Sequence, residues 1–182
     1  MKRLLTALVL ATTLAPSAHA VVYTQVLPEK SSIEFSYSQM GVTMDGRFRK
    51  FSSQLSFDPA QPAAAKVAID VDLASIDTGT PELDTEAAGK DWFNLKSFPT
   101  GRFVATAVKP LGGNRSSVAG KLAIKGRSKD IVVPATFTAQ GTTGVFAGQF
   151  TIRRGDFAIG EGAWAAFDIV ANDVTVKFRV TA

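Results

Sequence analysis

Asp70 and Asp72 are the residues of this chain whose type and spacing come nearest to a catalytic apparatus. Two apart on an alternating stretch, they project from one face, where one carboxyl could act as acid and the other as base. The same face carries Lys66 and Ala68, while Val67, Ile69 and Val71 form the opposite, apolar row, so the stretch reads as a strand with a solvated polar face. A carboxylate-dependent hydrolase is therefore the least favoured function. Beyond carboxylates the inventory is bare. The chain has no cysteine and one histidine, His19, in an N-terminal stretch expected to be removed. What remains cannot build a Ser-His-Asp or Cys-His site, a conventional zinc site, a haem or iron–sulfur site, or a thiol redox pair. Ser-x-x-Lys, Gly-x-Ser-x-Gly and Gly-x-x-x-x-Gly-Lys are also missing. No catalytic residue, metal or cofactor is expected, and the chain is not read as an enzyme.

The elements that would position any site have a period of two. Ile33, Phe35 and Tyr37 alternate with Glu34, Ser36 and Ser38, and Val174, Val176, Phe178 and Val180 alternate with Thr175, Lys177, Arg179 and Thr181. With 66–73 and the segments 46–57, 101–109, 117–125, 131–139 and 145–153, eight strands are predicted, and the parity change between Phe48 and Phe51 suggests a bulge in the second. Gly112-Gly113-Asn114, Gly126 to Asp130, and Gly141 to Gly144 supply hairpin connections. Short connections imply an antiparallel, up-and-down order, and eight strands suffice to close a barrel. Pro134 marks an edge-like or bulged position in its strand. Only the interval 75–100, between the third and fourth strands, lacks alternation. There Thr80 caps a short helix opening on Pro81, with Glu82 and Asp84 in its first turn and Gly89 at its end. A connection of that length usually forms a lid or binding loop.

Residues 1–20 read as a secretory signal: Lys2 and Arg3, the apolar run Leu4 to Leu14, then Ala18-His19-Ala20. That run is too short to span a bilayer, which takes about 20 residues. Cleavage after Ala20 leaves 21–182 as a single domain of 18 basic and 16 acidic residues, a net +2 with no block of like charge. Nucleic acid is not an expected partner. The expected location is the periplasm, with no transmembrane segment in the mature chain.

Thirteen phenylalanines against two tyrosines and two tryptophans make the apolar rows large and without polar handles. Rows such as Phe103, Ala105, Ala107; Val118, Gly120, Leu122; and Phe146, Gly148, Phe150 set small residues between large ones. They suit a hollow barrel and a filled, tapering one equally. Lys66, Lys121, Lys125, Lys177 and Arg179 on the other face favour an apolar interior in a water-facing barrel over a membrane barrel.

Ser32-Ile33-Glu34-Phe35, Gly46-Arg47-Phe48-Arg49-Lys50-Phe51, Ser75-Ile76-Asp77-Thr78-Gly79, Asp84, Asp91-Trp92-Phe93 and Phe98-Pro99 follow in order. Gly120 to Gly126 and Arg154-Gly155-Asp156-Phe157-Ala158-Ile159-Gly160 complete the series. Together they resemble the YceI-like family of periplasmic polyisoprenoid-binding proteins. The resemblance implies a lipocalin-like eight-stranded barrel whose lumen holds a polyisoprenoid or isoprenoid-quinone chain as ligand. The family often carries histidine where this chain has Glu86, and Phe-Phe where it has Trp92-Phe93. On this reading Ile69, Val71, Phe103, Leu122, Phe137, Phe150 and Phe178 are lumen candidates, and Trp92 and Phe93 cover one end. Arg154 and Asp156 are candidates for a polar mouth, or else an ion pair within a turn. The expected partners are an isoprenoid lipid and, beyond it, a second copy of the chain or a membrane protein of the envelope. A filled barrel serving as an interaction partner in an envelope complex is the alternative.

Overall fold

The computed structural model describes residues 21–182; the expected signal segment, 1–20, lies outside them. The alternating stretches form β1 (Ser32–Gln39), β2 (Val42–Phe48), β3 (Phe51–Ser56), β4 (Lys66–Asp72), β5 (Ile76–Asp77), β6 (Thr100–Gly112), β7 (Arg115–Ile124), β8 (Arg127–Gln140), β9 (Thr143–Arg153) and β10 (Val170–Thr181). They make one sheet in the order β3-β4-β6-β7-β8-β9-β10-β1-β2-β5. Every pairing is antiparallel. Chain neighbours are sheet neighbours almost throughout, and β1 closes against β10 from Ser32↔Arg179 to Gln39↔Val170. β2, next to last in that order, ends at Phe48 and β3, the first, begins at Phe51, so the chain itself joins the two sides of the sheet, which curls into a barrel.

Ten strands stand where eight are expected, for two local reasons. The predicted second strand is broken at Arg49 and Lys50, whose N–H groups turn to Ser75: Arg49 donates to its carbonyl at 3.0 Å and Lys50 to its hydroxyl at 2.9 Å. The parity change between Phe48 and Phe51 is thus a diverted backbone. β5 is a two-residue strand added to β2 through Phe48↔Ile76 and Arg47↔Asp77.

The connection expected over 126–130 is shorter, a two-residue turn of Lys125 and Gly126 with φ of 49° and 72°. Two consecutive positive φ values are what a tight hairpin with right-handed strand twist requires, so β8 starts at Arg127. Pro134 pairs with Ser117 of β7, while the ladder from β8 to β9 runs only from Thr136 to Gln140. Its missing N–H thus falls on the side without a ladder, as an edge-like position demands.

The one α-helix among the described residues, α1 (Pro81–Ala88), begins where Thr80 accepts the Leu83 N–H and stops at Gly89. It is fastened to the residue after β5 by Asp84, whose Oδ1 accepts the Thr78 N–H at 2.8 Å and the Thr78 hydroxyl at 2.7 Å.

Two apolar clusters occupy the interior. Leu73, Ile124, Phe157 and Ile159 form one, with Trp92, Phe93 and Phe48 packed on it. Tyr23, Phe57 and Ala182 form the other, with Phe137, Phe146 and Leu55.

Candidate functional site

Between these clusters the barrel is hollow. Its cavity of about 300 Å³ is walled by residues from all ten strands, among them Ile33 and Phe35 of β1, Ile69 and Val71 of β4, Phe103 of β6, Leu122 of β7, Phe150 of β9, and Val176 and Phe178 of β10. The volume lies at the lower end of the range for small-molecule sites, about 300–1,000 Å³. The glycines of the inward rows do not supply this space. Phe35 lies over Gly46, directly opposite it on β2, and Phe178 over Gly148, its partner on β9; a Cβ at Gly120 would lie 2.5 Å from the Phe103 ring. The rings of Phe35 and Phe178 occupy the space over the glycine paired with each, and the Phe103 ring that over Gly120, diagonal to it.

One end is sealed by aromatic stacking: Phe57, Phe137 and Phe146 have ring centroids 4.8 to 5.1 Å apart, and Tyr23 leans on all three. The Tyr23–Phe57 backbone pair, at 2.8 and 3.0 Å, and the Gly144–Ala182 pair hold this plug.

The other end is covered by the loop after α1 and by the segment between β9 and β10. The first loop folds back through Phe93 N–H to Ala87 O (3.0 Å) and Asn94 N–H to Gly89 O (2.8 Å), which puts Trp92 and Phe93 against the cavity. The second is organised by Arg154, which is 1% exposed. Its five N–H groups make seven bonds, to the carbonyls of Ile159, Gly160, Trp164, Ala166, Val170 and Ala171. Its guanidinium carbon stands 4.9 Å from the Phe167 ring centroid and 5.8 Å from that of Trp92. Burial draws its pKa below the ordinary arginine value. The two covers are joined: Gly160 and Glu161 N–H both donate to Asp91 O at 2.8 Å, Trp92 packs on Trp164 at 5.6 Å, and Trp164 Nε1 donates to Glu86 Oε1 at 2.8 Å. Beneath them Lys125 Nζ donates to Ala158 O (2.6 Å) and to Glu161 (2.9 Å), and Lys125 holds the Glu161 carboxyl below its usual pKa. Among the described residues two buried side-chain polar atoms, Ser53 Oγ and Trp92 Nε1, have no partner.

Residues 25–182 match the family model of the YceI-like domain. The chain belongs to the YceI-like family. Among its relatives is a UPF0312 protein of Pseudomonas savastanoi pv. phaseolicola, 31% identical over 169 residues, which are 87% of this chain and 88% of that protein. The crystal structure of Burkholderia cenocepacia BcnA has 40% identity and a TM-score of 0.85, with 87% of this chain and 99% of that one covered. A polyisoprenoid-binding domain from Saccharophagus degradans, implicated in plant cell wall breakdown, has a TM-score of 0.69 at 14% identity over 90% and 98% of the two chains, a likeness of fold.

In this YceI-like chain Ile69, Val71, Phe103, Leu122, Phe150 and Phe178 all face the one cavity, and Trp92 and Phe93 cover it. Phe137 does not line it: it sits in the aromatic plug against Tyr23 and Phe57, one layer beyond the cavity wall. The polar pair divides. Arg154 lines the cavity but is buried and saturated by carbonyls, whereas Asp156 is exposed and outside the lining; the bonds of Arg154 go to backbone, so the alternative of a turn ion pair does not hold either. Asp70 and Asp72 each have a partner of their own. Asp70 is held by Arg102 at 2.6 Å, and Asp72 accepts the Ala74 N–H at the turn after β4. The sequence reading missed Trp164, Tyr37 and Gln39 as lining residues. Trp164 is one of only two tryptophans, and that rarity was its available signal.

Proposed function

We propose that the chain is a periplasmic carrier that encloses a polyisoprenoid or isoprenoid-quinone chain in its barrel, binding it without chemistry of its own. The observation that carries this reading is the hollow between the two aromatic clusters, walled by Ile, Val, Leu and Phe side chains. A filled interaction module would have closed it. Each buried methylene of a ligand contributes about 0.8 kcal/mol, so a long chain needs no charged anchor, and few polar groups face the space. The family and the shared fold of a polyisoprenoid-binding domain support the same assignment. Among the described residues no helix is long and apolar enough to cross a membrane.

The test is organic extraction of protein purified from its native host, followed by mass spectrometry. A stoichiometric isoprenoid lipid is expected. Repeated recovery of intact protein with no lipid, and no uptake of quinone by that protein, overturns the proposal.

A further inference from the structure

Four large apolar side chains gather on the outside of the covered end of the barrel: Met40 and Val42 at the turn from β1 to β2, and Phe167 and Ile169 just before β10. They are 37 to 76% exposed. The chain itself brings them together, since Met40 N–H donates to Ile169 O at 2.8 Å and Gln39 pairs with Val170. Ala163, Ala165 and Ala166, also exposed, extend the surface around Trp164. Gln39, Trp164 and Val170 line the cavity, so the outer apolar surface and the apolar interior meet along one rim.

Local folding does not call for these residues. Met40 and Gly41 form a two-residue turn with φ of 49° and 80°, a geometry for which Asn-Gly is the favoured pair. Methionine takes that backbone without packing on anything, being the most exposed of the four. Phe167 lays one face over the Arg154 guanidinium and leaves half of its surface to water. Charge is sparse: segments 38–44 and 162–171 hold Asp168 alone. At the border, Glu161 is held by Lys125 with Lys90 nearby, and Arg153 faces Asp173 at 4.0 Å. A strongly charged partner finds little to bind here.

We propose that this rim docks on a lipid bilayer, with Met40, Val42, Phe167 and Ile169 entering the headgroup region and the covered end of the cavity facing the membrane. The inference rests on the lipid-binding reading, because it is a ligand resident in a membrane that makes the bilayer the partner. The opposite end is closed by the aromatic plug of Tyr23, Phe57, Phe137 and Phe146, which leaves the covered end for loading. The patch consists of a hairpin tip and a loop, which protrude; a fluid interface accommodates such tips without a matching groove. Attraction then follows the apolar area buried and requires no anionic lipid.

The experiment uses delipidated protein and phosphatidylcholine vesicles, read by flotation and by a polarity-sensitive dye. The chain has no cysteine, so Met40→Cys places one dye in the rim and Thr142→Cys places one at the plugged end. The dye at 40 is expected to move to a less polar environment when vesicles are added, and the dye at 142 to stay unchanged. Raising salt from about 0.05 to about 0.5 M should alter vesicle affinity less than about twofold. Met40→Asn combined with Val42→Thr keeps the turn and strand preferences and should weaken vesicle binding at least about tenfold. Neither residue lines the cavity, so uptake of a quinone from detergent solution should be unchanged in that variant. No flotation of the wild type, binding that survives the double substitution, or a dye response at 40 that follows protein concentration in place of vesicles overturns the proposal, the last by assigning the patch to a second copy. Docking without any quinone uptake overturns the carrier reading and leaves the docking surface supported.

Discussion

At the scale of single residues, the chain carries two opposite kinds of buried polar group. Arg154 is a cation closed off from water with all its donors used, and it holds six carbonyls between Ile159 and Ala171 that would otherwise lack partners. An unpaired buried acceptor costs about 1–3 kcal/mol, so Arg154→Lys, whose ammonium has three donors in place of five, should lose at least about 3 kcal/mol in urea unfolding. Hydrogen exchange should show the loss concentrated in 154–170. Ser53 is the contrasting case: its hydroxyl is buried on the β3 wall and bonded to nothing. Removing an unsatisfied group leaves nothing behind unpaired, so Ser53→Ala should be neutral or stabilising, within about 1 kcal/mol. A loss of 2 kcal/mol or more would mean that the hydroxyl has a partner.

At the scale of elements, what could be read from sequence was whatever is local. The cap at Thr80, Pro81 at the helix start and the stop at Gly89 depend on neighbours within a few residues, and α1 follows them closely. The break between β2 and β3 is different, because its cause is Ser75, remote in sequence, drawing off the Arg49 and Lys50 amides; parity could announce an irregularity there but not its form. Arg154 illustrates the same limit. An arginine beside Gly155 and Asp156 reads as a surface turn, and only the return of the chain through 159–171 encloses it. The junction of β2, β3 and β5 also titrates. Asp77 accepts from Arg49 and Arg47, which hold its pKa below the ordinary aspartate value. A lowered folded pKa gives stability that is complete above the unfolded value, about 3.9, and is lost as pH falls through the folded one. Asp77→Asn should therefore be less stable than wild type at neutral pH, and the difference should close as the pH is taken down through the lowered folded value, as urea midpoints at neutral and acid pH would show. A gap that persisted in acid would assign the effect to something other than this charge.

At the scale of the whole molecule, the choice between a filled and a hollow barrel was beyond the pattern of residues, because the same inward row serves both. Phe178 would plug the barrel if it pointed across it, and Gly148 on the next strand instead leaves the space that its ring occupies. That relation depends on strand register, which alternation leaves open. The resulting hollow has a thermodynamic consequence. On the proposed function the folded chain encloses a long apolar ligand that the unfolded chain has no means of enclosing, so ligand at 100 times its Kd should add about 2.7 kcal/mol to stability. For a domain of this size each kcal/mol raises Tm by about 2–4 °C, so quinone-loaded protein should melt about 5–10 °C above delipidated protein. The rise should grow with the logarithm of free ligand and should fall when Val71→Asp places a charge in the cavity wall. A Tm that did not move with ligand would show that the hollow is not where the lipid goes.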